Sequence, residues 1–123
     1  MSFLIREANL RTDREQIISF LRTNLTELSD HRRYDWLYLD NPAGPARIWI
    51  AQDKGSDDFI GLSAAIPRIF VVRNERKSGW VLADFCIDSA HRSLGPAHRL
   101  QRKTLEDAEK HDIFCCIDFP SQS

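Results

Sequence analysis

The stretch Ile87-Asp88-Ser89-Ala90-His91-Arg92-Ser93-Leu94-Gly95-Pro96-Ala97 decides the fold, because it joins an apolar strand to an amphipathic helix through a short loop. Upstream, Gly79 to Asp88 carries Trp80, Val81, Leu82, Phe85 and Ile87, aromatic and branched residues that favour a strand. Downstream, Gly95 and Pro96 open a helix. Proline is tolerated at the first helical position because that amide has no partner within the helix. Ala97, Leu100, Gln101, Thr104, Leu105 and Ala108 recur at helical spacing and predict the inner face. Arg99, Arg102, Lys103, Glu106, Asp107, Glu109 and Lys110 are expected to face water. Ile113 to Phe119 is a further strand. A strand-helix-strand unit of this length predicts two parallel neighbours joined by a crossover.

Working outward toward the N-terminus, Phe59 to Arg73 predicts a long strand, bent or bulged where Pro67 removes a ladder donor, with a hairpin turn at Asn74-Glu75-Arg76-Lys77. Arg47-Ile48-Trp49-Ile50-Ala51 predicts another strand. Asn41-Pro42-Ala43-Gly44-Pro45 ends the preceding helix, which Ser29-Asp30 caps and which carries Tyr34, Leu37 and Tyr38 on adjacent turns. An earlier helix begins at Thr12-Asp13-Arg14-Glu15, a capping-box pattern, and runs to about Asn24 with Ile17, Ile18 and Leu21 on one face. Phe3-Leu4-Ile5-Arg6 is a short opening strand. The order β-α-α-β-β-β-α-β implies an α/β (mixed-sheet α+β) fold in a single domain over residues 1–123, a length that suits one core.

The 17 Lys and Arg residues against 18 Asp and Glu leave no global field to draw the chain to nucleic acid or an anionic membrane. The charged N-terminus and the lack of a long apolar span give no membrane segment, so a cytoplasmic location is expected. Cys86, Cys115 and Cys116 lie in apolar runs without metal-ligand spacing, and His91, His98 and His111 do not share such spacing either, so no metal is expected. Any anion must be held locally. The turn entered by Arg92 precedes a helix N-terminus, where amides without intrahelical acceptors and the positive end of the helix dipole suit a phosphate. An ordinary strand-to-helix loop punctuated by Gly and Pro is the competing interpretation.

Ile87 to Ala97 resembles the acetyl-CoA loop of the GNAT acyltransferase superfamily, an aliphatic strand end followed by Arg/Gln-x-x-Gly-x-Gly/Ala, with Arg92, Gly95 and Ala97 at the motif positions. The Trp36-to-Gly44 and Ser93-to-Ala97 wording is similar to bacterial members of the polysaccharide-biosynthesis kind. The resemblance implies an acyl-CoA-dependent N-acyltransferase. Pyrophosphate would lie on Ser93, Leu94, Gly95 and Ala97, and the pantetheine arm would pair with the backbone of Phe85, Cys86 and Ile87. An amine acceptor would attack the thioester directly, with no nucleophilic cysteine. Pro96 departs from the pattern by removing one amide. The resemblance covers the N-terminal two-thirds of that fold and implies a further helix and strands after Phe119. A catalytically silent truncated fragment that binds CoA or phosphate, or needs a partner chain to complete its sheet, is the alternative. A homodimer through an exposed sheet edge is the implied assembly.

Asp84 is the carboxylate nearest the strand position where the family often carries a catalytic glutamate. Burial there would raise its pKa toward that of a base, whereas a neighbouring backbone group or arginine would make it structural. His31-Arg32-Arg33 with Tyr34, Trp36 and Tyr38 lies on the helix that borders the acceptor pocket in the family. Those three aromatic residues are the expected substrate-binding set, their core placement being the alternative.

Overall fold

The computed structural model of the chain describes residues 2–91 and 95–118. Its strands are β1 (Phe3–Glu7), β2 (Arg47–Asp53), β3 (Phe59–Val72), β4 (Glu75–Ile87) and β5 (Cys115–Asp118), and its helices are α1 (Arg14–Asn24), α2 (His31–Tyr34) and α3 (Pro96–Lys110). α2 continues directly into a wide π turn over Asp35–Leu39, and a 3-10 turn over Ser89–His91 follows β4. The sheet order is β1-β2-β3-β4-β5, antiparallel through β4 and parallel between β4 and β5. This is the mixed α/β arrangement that the hydrophobic pattern predicts, with α3 as the crossover that a parallel pair requires. None of the described helices is long and apolar enough to cross a membrane.

Both faces of the sheet are covered, and the period of two along each strand assigns residues to them. Ile48, Ile50, Leu62, Ala64 and Ile66 pack with Ile17, Ile18, Leu21, Tyr34 and Tyr38 on the side of α1 and α2. Trp49, Ala51, Ile60, Ala65 and Trp80 pack with Leu100 and Ala108 of α3 on the other side. A Cβ on Gly61 would stand 2.6 Å from Cδ1 of Ile87 and 2.9 Å from Cδ1 of Leu100. The bare backbone of Gly61 therefore lets Ile87 and Leu100 fill the space directly above it.

Several local expectations are corrected. No side-chain oxygen caps α1. Asn9 Oδ1 accepts from the amides of Arg11 and Thr12 at 2.9 and 3.0 Å, and Asp13 accepts from the amide of Asn9 and from both terminal nitrogens of Arg6. Asn9 thereby takes the Thr12 amide that Glu15 would have accepted from in a capping box. The β3–β4 hairpin closes on two residues, Arg73 and Asn74, whose φ of 51° and 66° are the left-handed pair of a type I′ turn. Consequently β4 starts at Glu75, four residues before the expected Gly79, and Pro67 keeps its register with Trp80. The sheet irregularity lies further along the same pair: Leu62 faces Cys86 while Ala64 faces Ala83, so β4 contributes one residue more than β3. In α3 the face is rotated from expectation. Leu105 is exposed and Asp107 is buried, because Trp49 Nε1 donates to the Asp107 carboxylate at 2.7 Å.

Candidate functional site: a bulged strand beside a helix N-terminus

The extra residue of β4 falls at Asp84 and Phe85, opposite Ser63. Asp84 has φ of 53°, the left-handed conformation that the leading position of a glycine-type bulge adopts. A non-glycine residue held there costs on the order of 1–3 kcal/mol unless its surroundings fix it. The bulge breaks the strict alternation of β4. Ala83 and Cys86 both contact the core beneath α1, and the carboxylate of Asp84 also points to that side.

Two groups hold that carboxylate. Arg33 Nη2 donates to Oδ1 at 2.7 Å, and the Tyr38 hydroxyl donates to Oδ2. The Asp84 side chain is 7% exposed and that of Arg33 28%. Burial alone would lower the Arg33 pKa, but the hydrogen bond and charge of Asp84 hold it above the ordinary value. Burial, then the Asp84 charge, pushes the Tyr38 phenol up, so it stays a donor. The same two causes raise the neighbouring Cys86 thiol to about 12, and it remains protonated and inert near neutrality. The Asp84 side chain is thus bonded to both an arginine and a tyrosine.

The π turn explains how one short segment supplies both partners. Arg33 and Tyr38 are five residues apart, which an ordinary helix would place about 140° around its axis. In the widened turn Asp40 N–H donates to Asp35 C=O at 2.8 Å, an i to i+5 bond, and residues at that spacing come to one side. Arg14 grips the Asp35 carboxylate through Nη2 at 2.9 and 3.0 Å, anchoring the turn to α1. The regular helix expected over this stretch is therefore replaced by α2 and a π turn.

Of the expected substrate-binding aromatics, only Trp36 is at the surface, 71% exposed. Tyr34 and Tyr38 are 2% and 0% exposed, stacked edge to face at 5.1 Å between centroids. These two tyrosines have the core placement that was the alternative. Their four-residue spacing turns both to the sheet, and each buried hydroxyl finds an acceptor, Leu10 C=O at 2.6 Å for Tyr34 and Asp84 for Tyr38. Burial raises the Tyr34 phenol to about 12. Trp36 lines a groove of ≈ 560 Å³ with Leu37, Asp40, Arg68, Ile69 and Arg76. Arg68 is oriented there by Asn41 Oδ1 at 2.6 Å. The sequence carried no signal joining Arg33 to Asp84 across 51 positions, nor one placing Arg68 and Arg76 beside Trp36.

Of the expected cofactor-binding residues, Phe85 is partly exposed while Cys86 and Ile87 are buried. Cys86 pairs with Leu62 and Ile87 with Gly61, so one backbone edge of this segment is taken by β3. On the other side the described register with β5 ends at Leu82 and Asp118. Gly95, with φ of 83°, precedes Pro96 at the start of α3, and an added Cβ there would meet no atom of the described residues within 4 Å. The first bond of the α3 ladder runs from Arg99 N–H to Gly95 C=O at 3.3 Å, so the amides of Ala97 and His98 precede it. Ala97, in the first turn of α3, packs against the apolar layer of Trp49, Trp80 and Leu100. Arg92, Ser93 and Leu94 lie outside the described residues. Asp84, Phe85 to Ile87 and the Gly95–Ala97 turn thus occupy the C-terminal end of β4 and the start of the next helix.

No protein-family model and no curated protein matches the sequence. Solved structures match its fold over almost its whole length. Glucosamine-6-phosphate N-acetyltransferase from Arabidopsis thaliana superposes with a TM-score of 0.73 at 18% identity, over 98% of this chain and 84% of that one. A predicted acetyltransferase from Clostridium acetobutylicum, solved with acetyl-CoA, gives 0.76 at 16% identity over 98% and 82%. A GNAT family acetyltransferase from Staphylococcus aureus gives 0.70 at 16% identity over 99% and 89%. The chain has the fold of the GNAT acetyltransferases.

Proposed function

We propose that the chain is an acyl-CoA-dependent N-acyltransferase in which the donor lies along the C-terminal end of β4 and the acceptor approaches from the side of α2. The observation that carries this is the coincidence, at one end of one strand, of the bulge at Asp84 and the helix start at Gly95. A bulge turns the following backbone away from the preceding register. The Phe85–Ile87 edge on the β5 side is then a partner for the amides of a pantetheine arm, and the start of α3 at Gly95 to Ala97 is a partner for its diphosphate. Among the described residues nothing crowds Gly95, which supports an anion at the start of α3.

The chemistry is a direct displacement. The acceptor amine nitrogen bonds to the thioester carbonyl carbon, the carbon–sulfur bond breaks, the amine gives up a proton, and CoA leaves as thiolate to be protonated to the thiol. The protein contributes alignment and an amide to the carbonyl oxygen as it gains charge. The groove beside Trp36 is the proposed entry for the acceptor. Its exposed indole and two guanidinium groups favour an acceptor with a flat or anionic portion beyond the amine.

Acetyl-CoA titrated calorimetrically is expected to bind more tightly than pantetheine lacking the diphosphate, and to raise the melting temperature. Thiol release from acetyl-CoA should rise above background with some member of an amine panel. Binding without release would leave a silent CoA-binding domain, and no binding would remove the function altogether.

A further inference from the structure

Asp84 occupies a backbone position that asks for glycine, yet it carries a carboxylate whose oxygens are both engaged from one segment, Arg33 in α2 and Tyr38 in the π turn. Glycine would satisfy the left-handed φ more easily but would leave the bulge unattached to the helices. We propose that Arg33 and Tyr38 latch the β4 bulge through Asp84, so that Asp84 is a positioning residue for the Phe85–Ile87 edge and not the acceptor's proton acceptor. This rests on the acyltransferase reading for its functional consequence only.

Three features of the structure bear on it. The π turn widens the chain at the point where Arg33 and Tyr38 must face the same carboxylate. The segment is itself fixed from behind, by Arg14 on Asp35 and by Tyr34 on Leu10 C=O. Cys86, two residues past the latch, is 7% exposed beneath the same helices. Releasing the latch frees Asp84 to leave the left-handed region, which rearranges the bulge and uncovers Cys86.

The experiment compares wild type with Arg33→Gln, Tyr38→Phe, Asp84→Gly and Asp84→Asn. The rate of Cys86 alkylation by iodoacetamide, followed by peptide mapping, needs no CoA. With Arg33 replaced, the unbalanced Asp84 charge disfavours the Cys86 thiolate, so electrostatics alone slows the reaction. A latch predicts the opposite sign, roughly tenfold faster labelling in Arg33→Gln. Tyr38→Phe, the mildest change, should shift in the same direction by less. Unchanged or slower labelling in Arg33→Gln would overturn the latch.

Acetyl-CoA affinity is the second measurement. A positioning role predicts roughly tenfold weaker binding in Arg33→Gln and Asp84→Gly, with the loss in kcat/KM carried mainly by KM. Asp84→Asn, which tolerates the same φ and keeps a polar contact to Tyr38, should retain most affinity and the pH–rate profile. Asp84→Asn with intact affinity, a collapsed kcat and a missing acidic limb would make Asp84 the base and sink the proposal. Wild type that fails to bind acetyl-CoA would refute the acyltransferase reading, while the labelling rates would still decide the latch.

Discussion

Asp107 shows how one buried hydrogen-bond donor rotates a helix. Trp49 is fully buried, and its indole N–H needs an acceptor there, which the Asp107 carboxylate supplies at 2.7 Å with Lys103 Nζ 3.0 Å from its other oxygen. Helical periodicity alone would turn Asp107 to water and Leu105 inward, since a heptad template counts carbon and charge but not the far strand's donor. Burial works to raise the Asp107 pKa, and the bonds from Trp49 and Lys103 outweigh it, leaving the value lowered. The folded state therefore prefers the charged form more than the unfolded state does. Its contribution to stability is present above about pH 4, the unfolded value, and disappears as pH falls through the lower folded one. Asp107→Asn keeps an acceptor for Trp49 but loses the charge. Wild type should melt above Asp107→Asn at pH 6, with the difference closing below about pH 4; a gap that stays constant down to pH 3 would contradict this. Asp107→Ala also strands the indole donor and should cost about 1–3 kcal/mol in denaturant unfolding at neutral pH.

The start of α1 tests which residues of an element carry its energy. The Thr12-to-Glu15 pattern predicts a capping box, yet the side-chain bonds of Asn9 and Asp13 fall in the turn before the helix, and Glu15 pairs with His31 at 2.7 Å instead. Thr12→Ala is expected to change stability by less than about 0.5 kcal/mol. Asp13→Ala removes the two-point contact with Arg6 and the bond from Asn9, and should cost about 1.5–3 kcal/mol; equal effects from the two variants would restore the capping box. The same limit on local patterns runs through the chain. Strands with a continuous apolar run, such as Ile48 to Ala51 and Ile60 to Ile66, were legible because both faces of the sheet are buried there, so successive residues are apolar alike. Glu75 to Ser78 were not, because a two-stranded ribbon wet on one side has the composition of a turn. The glycine and proline at the start of α3 marked that end of the site. The latch did not show, since Arg33, Tyr38 and Asp84 meet only after the sheet has formed and the helix has widened.

At the scale of the molecule, one sheet separates two apolar layers, and its strands belong to both. Leu21 is 1% exposed in the layer under α1, and Leu100 is 0% exposed in the layer under α3. Truncating either to alanine removes its transfer energy and leaves a cavity that the sheet closes only in part, about 2–5 kcal/mol each. The layers share their backbone. Ile48 and Ile50 face one while Trp49 and Ala51 face the other, so β2 cannot lose one layer's support and keep its place in the other. Unfolding should then be a single transition even when only one layer is weakened. The tryptophans give a direct check, because Trp49 and Trp80 are both in the α3 layer, with ring centroids 5.6 Å apart, and Trp36 is in solvent. Tryptophan emission thus reports on the layer that Leu21→Ala leaves untouched, whereas far-ultraviolet circular dichroism reports on every element. The two probes should give one midpoint in urea for Leu21→Ala, shifted below wild type, and again one for Leu100→Ala. Circular dichroism falling ahead of tryptophan emission in Leu21→Ala would mean that the α1 layer opens by itself, and the sheet would then be a partition between two separately stable halves.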